Sequence, residues 1–359
     1  MESQNILFLT RTMKLGGTEN VILQLCEILK SKVNKIVVCS CGGINVKKLN
    51  EMGIHHYTIP DISGKKPKDM LQIYQTLRRI IRDENITVIH SHHRMAALYA
   101  RFVDPKAVIT IANAHNAFYD KKILTRVAYK DTKLIAVGEM VKKNLTDFFG
   151  LPSQQVSVIH NAVKPFEGKV ELIAAVKKAK DNGYVLIGNI GRLSKQKGIP
   201  YFIEAAEIVH HKNPKTKFFI VGDGEDKKHL EDLVHKKKLD NDVIFLGYRS
   251  DVQNVMSQMD FIVLSSLWEG LPLTPIEAFS VGKTIVATAV DGTPEIVQDK
   301  INGYLVQPRN ANDLAERIEL LIDDPAKRKS LEIQARERYE SEFSFEKLKQ
   351  EYIRYYEEL

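Results

Sequence analysis

Thirteen short apolar runs of three to six residues punctuate this chain, and most are followed by a longer polar stretch with apolar residues at helical spacing. That alternation constrains the fold more than any other feature. Candidate strands in the first half are Ile6–Leu9, Lys35–Cys39, His56–Ile59, Val88–His90, Val108–Ile111, Leu134–Val137 and Val156–Ile159. Helical patterns separate them at 17–32, 69–84, 94–102, 121–130 and 139–149. The second half repeats the scheme with Val185–Ile190, Lys217–Val221, Val243–Leu246, Phe261–Leu264, Thr284–Thr288 and Gly303–Val306. Its helices are expected near 198–212, 226–237, 250–257, 275–282, 293–299, 311–322 and 325–340. Strand alternating with helix implies α/β architecture, with parallel sheets covered on both faces.

The break between the two sets falls around Pro165-Phe166-Glu167-Gly168, giving domains 1–164 and 165–341. A chain of 359 residues has the length for two ordinary domains. Two Rossmann-like domains facing each other across a cleft follow, and ligands in such sheets sit beyond the carboxyl ends of the strands. The last stretch, Phe345 to Leu359, is amphipathic, with Tyr352, Ile353, Tyr355 and Tyr356 as candidate packing residues. Ser63-Gly64-Lys65-Lys66-Pro67-Lys68 reads as a mobile loop.

No apolar run approaches the roughly 18 residues of a membrane span, and Met1-Glu2-Ser3-Gln4-Asn5 lacks the basic start of a signal peptide. Cys26, Cys39 and Cys41 have neither zinc spacing nor an even-numbered disulfide set, so reduced thiols in the cytosol are expected. Residues 1–165 hold 24 Lys and Arg against 13 Asp and Glu, while 166–359 hold 28 against 32. The basic half points to an anionic partner. No helix-turn-helix, zinc finger or RNA-recognition pattern accompanies the charge, so nucleic acid is disfavoured, and a membrane surface or lipid-phosphate acceptor fits better. Lys121 to Lys130 places basic and apolar residues at helical spacing, as a membrane-surface helix or an ordinary domain-covering helix would.

Residues 268–297 carry the strongest chemical signal. Trp268-Glu269-Gly270-Leu271-Pro272-Leu273-Thr274-Pro275-Ile276-Glu277 follows an apolar strand and precedes Asp291-Gly292-Thr293-Pro294-Glu295. Glu269 would sit on a loop at the strand's end and Glu277 one turn into a helix. Paired carboxylates suit vicinal diols, and a helix start suits a phosphate or sugar hydroxyl. Gly191-Arg192-Leu193-Ser194-Lys195-Gln196-Lys197-Gly198 follows the second half's first strand, so Arg192 and Lys197 both reach toward one diphosphate. Gly16-Gly17-Thr18-Glu19 opens the first helix and lets backbone approach a phosphate, without the dinucleotide fingerprint that NAD would require.

Together these stretches resemble the family 4 glycosyltransferases, retaining enzymes of the GT-B fold, through the Glu-x7-Glu spacing, the Gly-Leu-Pro loop and Gly-Arg-Leu-x-x-x-Lys-Gly. The resemblance implies that the terminal helix, about 342–359, returns to complete the acceptor-binding first domain, and that the second domain binds a nucleotide-sugar. Arg192 and Lys197 would hold the diphosphate with Gly16 and Gly17. Glu277 would hold the ribose, and Glu269 with the backbone of Gly270, Leu271, Pro272 and Leu273 the donor sugar. His115 would be the active-site histidine contacting that sugar. The strand and turn through Tyr248 resemble the segment that reads the base. His90 and His92 would order a loop or touch the acceptor; a zinc site lacks a fourth ligand there. Gly222-Asp223-Gly224-Glu225 reads as a turn, and Asp-x-Asp is absent.

The expected function is therefore metal-independent, retaining transfer from a nucleotide-diphosphate sugar, UDP-linked, to a glycan or lipid-linked acceptor for cell-surface polysaccharide. The expected location is the cytoplasm, at the inner face of the membrane. A nucleotide-sugar epimerase on the same fold, or a degenerate scaffold in a glycan-assembly complex, stays open on sequence alone.

Overall fold

The computed structural model describes residues 1–103 and 108–359, and the chain forms two compact units. Met1–Asn161 with Leu348–Leu359 make the first, and Ala162–Lys347 the second. Ala162 begins the second unit because its neighbour Val163 bridges to Ser344, and the Tyr339 hydroxyl donates to the Val163 carbonyl at 3.0 Å.

The first unit contains seven strands: β1 (Asn5–Leu9), β2 (Lys35–Ser40), β3 (His55–Thr58), β4 (Val88–Ser91), β5 (Ile109–Ala114), β6 (Lys133–Ala136) and β7 (Val156–Val158). They lie parallel in the order β3-β2-β1-β4-β5-β6-β7. In the second, β8 (Val185–Ile190), β9 (Thr216–Val221), β10 (Val243–Gly247), β11 (Phe261–Leu264), β12 (Ile285–Thr288) and β13 (Gly303–Val306) run in the order β10-β9-β8-β11-β12-β13, again parallel. Each sheet reverses its winding once, between β1 and β4 and between β8 and β11. Loops leaving the carboxyl ends diverge at such a switch point, which is where doubly wound sheets bind ligands.

Helices cover the faces. Leu7, Leu9, Ile73, Leu77, Ile89 and Ala96 belong to one core in the first unit. Ile187, Phe202, Phe218, Phe261, Val286 and Ile318 belong to the core of the second. Strand centres are apolar on both faces because both faces are buried. The cysteines are unpaired, and burial pushes the Cys26 and Cys39 thiols up out of the reactive range.

Several local expectations need correction. The helices Val46–Glu51 and Ala174–Asp181 are additional to those expected, being short with few buried residues. The expected helix 139–149 is α-helical only over Glu139–Lys143 and continues as a π-turn to Phe148. The loop at 63–68 is shorter than expected, since Pro67 opens the helix Pro67–Asp83, a position where its missing N–H costs nothing.

Candidate active site

In the second unit, the loops after β8 and β11 are stitched together. Ser265 Oγ donates to the Lys197 carbonyl at 3.0 Å, the Leu267 amide to the Gln196 carbonyl at 2.7 Å, and Gln196 Nε2 to the Trp268 carbonyl at 3.0 Å. Gly198 makes this approach possible: its φ is +57°, and a Cβ there would fall 2.1 Å from the Ser265 carbonyl oxygen.

This stitching brings Lys197 and Glu269 together. Lys197 Nζ lies 2.6 Å from Glu269 Oε1, with the side chains 18% and 7% exposed. The same oxygen accepts from Ser266 Oγ at 2.6 Å, and the Glu269 amide donates to Asp291 Oδ2 at 2.6 Å. Glu269 is thus fixed at both ends. Lys197 is ion-paired to a carboxylate here, which its spacing to Arg192 does not foretell. Arg192 is exposed, and its side chain forms no hydrogen bond or ion pair among the described residues.

Gly270, Leu271 and Pro272 lead into the helix Leu273–Ser280. Pro272 supplies no side-chain cap, so the first helical amides remain donors without intrahelical partners. Glu277 is the fifth residue of this helix. Burial pushes its carboxyl up to about 7, against the pull of the Lys197 ammonium. Tyr248 follows β10 and is exposed, with its ring free to stack. Asp223 Oδ1 accepts from the Gly224 amide at 2.9 Å, a turn contact.

In the first unit, Gly16 caps the helix Gly17–Leu29 after β1. The Glu19 carboxylate folds back over Gly16, where it accepts from Thr12 Oγ1 at 2.5 Å, and a Cβ on Gly16 would meet it. An anion therefore already sits beside that helix start.

After β4 and β5, the histidines form a stack. His90 and His92 ring centroids are 4.5 Å apart, and His92 and His115 centroids 5.4 Å. His90 Nε2 lies 2.7 Å from Asn113 Oδ1, which only accepts, so the proton is on Nε2. Burial holds this ring neutral, with its pKa pushed down to about 3, so Nδ1 accepts from the Tyr356 hydroxyl at 2.7 Å. Asn113 Nδ2 donates to the Tyr352 hydroxyl at 2.7 Å. His90 is therefore a packing anchor for the terminal helix Phe345–Glu357. His92 Nδ1 pairs with His115 Nε2 at 3.1 Å, and burial lowers His115 to about 4.

The basic stretch at 121–130 forms the helix Lys122–Tyr129. It buries Thr125, Ala128 and Tyr129 and exposes Ile123 and Val127. Sequence reasoning passes over Ser266, Asn113 and the role of Asp291. Asp291 does leave a trace in the turn pair Asp291-Gly292, and its φ of +43° is one that aspartate tolerates.

Two parallel doubly wound units with this pair of loops define a class. A model of group 1 glycosyl transferases matches residues 172–338, and one of glycosyltransferase family 4 matches residues 15–165. The chain belongs to these GT-B glycosyltransferases and is an enzyme of that class.

Among its relatives is the UDP-Gal:α-D-GlcNAc-diphosphoundecaprenol α-1,3-galactosyltransferase of Escherichia coli, 26% identical over 341 residues, covering 86% of each chain. A phosphatidylinositol N-acetylglucosaminyltransferase chain of Arabidopsis thaliana is 29% identical over 325 residues, 86% of this chain and 71% of that protein. The crystal structure of Anabaena HepE in complex with UDP has a TM-score of 0.86 at 20% identity, covering 99% of this chain and 100% of that one. A glycosyltransferase structure from Rickettsia africae also scores 0.86, at 21% identity, over 99% and 98%. At these identities the solved structures establish the fold.

Proposed function

We propose that this glycosyltransferase moves a sugar, with retention, from a UDP-sugar to a glycan or lipid-linked acceptor in cell-surface polysaccharide synthesis. The observation that carries the reading is the buried Lys197–Glu269–Ser266 group beside the uncapped start of helix Leu273–Ser280. It offers a cation to a diphosphate, a fixed carboxylate to sugar hydroxyls and free amides to oxygen atoms. Donors and acceptors held in place before the reaction stabilise developing charge without reorganisation. The names of the Escherichia coli and Arabidopsis relatives support a lipid-linked acceptor, and HepE's complex supports UDP.

Arg192 supplies a second, bidentate cation to the diphosphate. Glu277, whose carboxyl forms no hydrogen bond among the described residues, receives the ribose hydroxyls. Tyr248 packs on the base, and His115 keeps the sugar-contacting role the family resemblance gives it. The bond between the sugar's anomeric carbon and the phosphate oxygen breaks as a bond to the acceptor oxygen forms on the same face. The departing phosphate takes the acceptor hydroxyl's proton. Arg192 and Lys197 neutralise the leaving group, so no metal is required in this scheme.

Among the described residues, no helix is long and apolar enough to cross a membrane. Contact with the inner face of a membrane through the basic first unit is part of this proposal. The test is a thermal-shift screen of UDP, GDP and ADP with and without EDTA. Selective stabilisation by UDP, unchanged by EDTA, is expected, at about 2.7 kcal/mol for a hundredfold excess over Kd. No shift with any nucleotide would leave the degenerate-scaffold reading instead. UDP-sugar converted without acceptor would indicate an epimerase.

A further inference from the structure

The first unit holds a cavity of about 550 Å³ beyond the carboxyl ends of β4 and β5, and the reaction proposed above uses only His115 from its walls. Its lining is one-sided in charge. Lys65, Arg94 and Lys121 contribute cations, and among the described residues no carboxylate lines it. Asp61 is paired with Arg11 at 2.8 Å, and Asp120 holds Arg94 at 2.9 Å.

Arg94 is set in place before any ligand arrives. Its Nη1 donates to Asp120 Oδ1 and to Thr125 Oγ1, each at 2.9 Å, and its guanidinium lies 5.3 Å from the centre of the Phe118 ring. Nε and Nη2 have no hydrogen bond among the described residues, which leaves one edge of the fork for a bidentate acceptor. His93 Nδ1 accepts from the Met95 amide at 3.1 Å, so a neutral His93 carries its proton on Nε2 and adds a donor. Burial, then Arg11 and Arg94, favour that neutral form. The helix Arg94–Val103 begins at the same place and adds the positive end of its dipole.

A second, independent feature points to a ligand. His92 lines the cavity, is 3% exposed, and its Nε2 is buried without any partner among the described residues. A buried polar atom left unpaired is costly, and a ligand oxygen or hydroxyl reaching it would remove that cost. The lining also includes an apolar wall of Met70, Met95, Phe118 and Leu124, of which Met70 and Phe118 are exposed. A free phosphate needs no such wall. A phosphate joined to a hydrocarbon chain uses both halves.

We infer that this cavity binds the phosphate of a lipid-phosphate acceptor, with Arg94 and Lys121 as its ligands and Met70, Met95 and Phe118 against the first carbons of the lipid. This deepens the function proposed above and rests on it for the word acceptor.

The test is calorimetric titration of the full chain with geranyl diphosphate, with saturating UDP occupying the donor site. One saturable site is expected. Its Kd should weaken about tenfold or more in Arg94→Gln and in Lys121→Gln, the loss of a charge-assisted contact, and stay unchanged in Lys47→Gln, an exposed lysine outside the lining. Met70→Ser should weaken geranyl diphosphate but leave inorganic pyrophosphate unaffected. Lys121→Gln keeps the inference testable should the Arg94 variant misfold. Binding that ignores both substitutions overturns the site. Pyrophosphate binding as tightly as geranyl diphosphate overturns the lipid. If UDP gives no heat, the donor reading fails by itself, and the titration without UDP still judges the cavity by comparing Lys121→Gln with Lys47→Gln.

Discussion

Lys197 Nζ sits 2.6 Å from Glu269 Oε1, an ion pair across 72 residues of sequence in which neither side chain is more than 18% exposed. Removing one member of a buried pair strands the other. Lys197→Met should therefore destabilise the fold, by up to about 3 kcal/mol, while Lys197→Met with Glu269→Gln recovers most of that loss. Neither variant should recover turnover. Urea denaturation beside a transfer assay separates the two effects; a double variant no more stable than the single would mean that the pair carries no coupling.

The Arg192 side chain has no protein partner among the described residues, so its substitution should leave stability alone and act on chemistry. Arg192→Ala is expected to lower kcat by about 10²–10³-fold, the range for losing one fixed charge-stabilising group. Tyr248→Ala, which removes an exposed ring, should raise KM by roughly tenfold, about 1.4 kcal/mol of stacking. Steady-state kinetics with varied donor would measure both. Equal kcat losses would refute this ranking.

Glu277 makes stability depend on pH in an unusual direction for a carboxylate. Its folded pKa is raised from 4.5 to about 7. The contribution of the protonated form is fully present below about 4.5 and is lost as pH rises through 7. Glu277→Gln lacks this slope. Relative to the parent it should gain stability between these pH values, by at most about 3 kcal/mol above pH 7. Denaturation midpoints at pH 4.5 and pH 8 would check it; a gain confined to the acid side would reverse the assignment.

His90 depends on one phenol. Tyr356→Phe leaves His90 Nδ1 buried without a donor, at a cost of about 1–3 kcal/mol. Tyr355→Phe, on the neighbouring half-buried position, should cost less. Hydrogen exchange of the last helix would show early opening in the first variant and not the second.

Much of this is legible in the sequence. Short apolar runs alternating with helical patterns announce parallel sheets, because strands buried on both faces must be apolar throughout. All thirteen expected strands occur, several with the same ends, Val185–Ile190 and Phe261–Leu264 among them. The Gly-Pro loop before Glu277 announces a helix start, since proline and glycine act on local backbone. Short surface helices such as Ala174–Asp181 leave no comparable trace, because few of their residues face a core.

What the chain by itself determined is therefore local: which residues form strands, where loops turn and where carboxylates and cations lie along the backbone. The tertiary structure decided which of these meet. Only the winding of the second sheet brings the loops after β8 and β11 together, so that Lys197 finds Glu269 rather than standing free beside Arg192. Only the return of the terminal helix to the first unit carries Tyr352 and Tyr356 to Asn113 and His90. Pairing and protonation depend on distance and burial through space, and sequence spacing encodes neither.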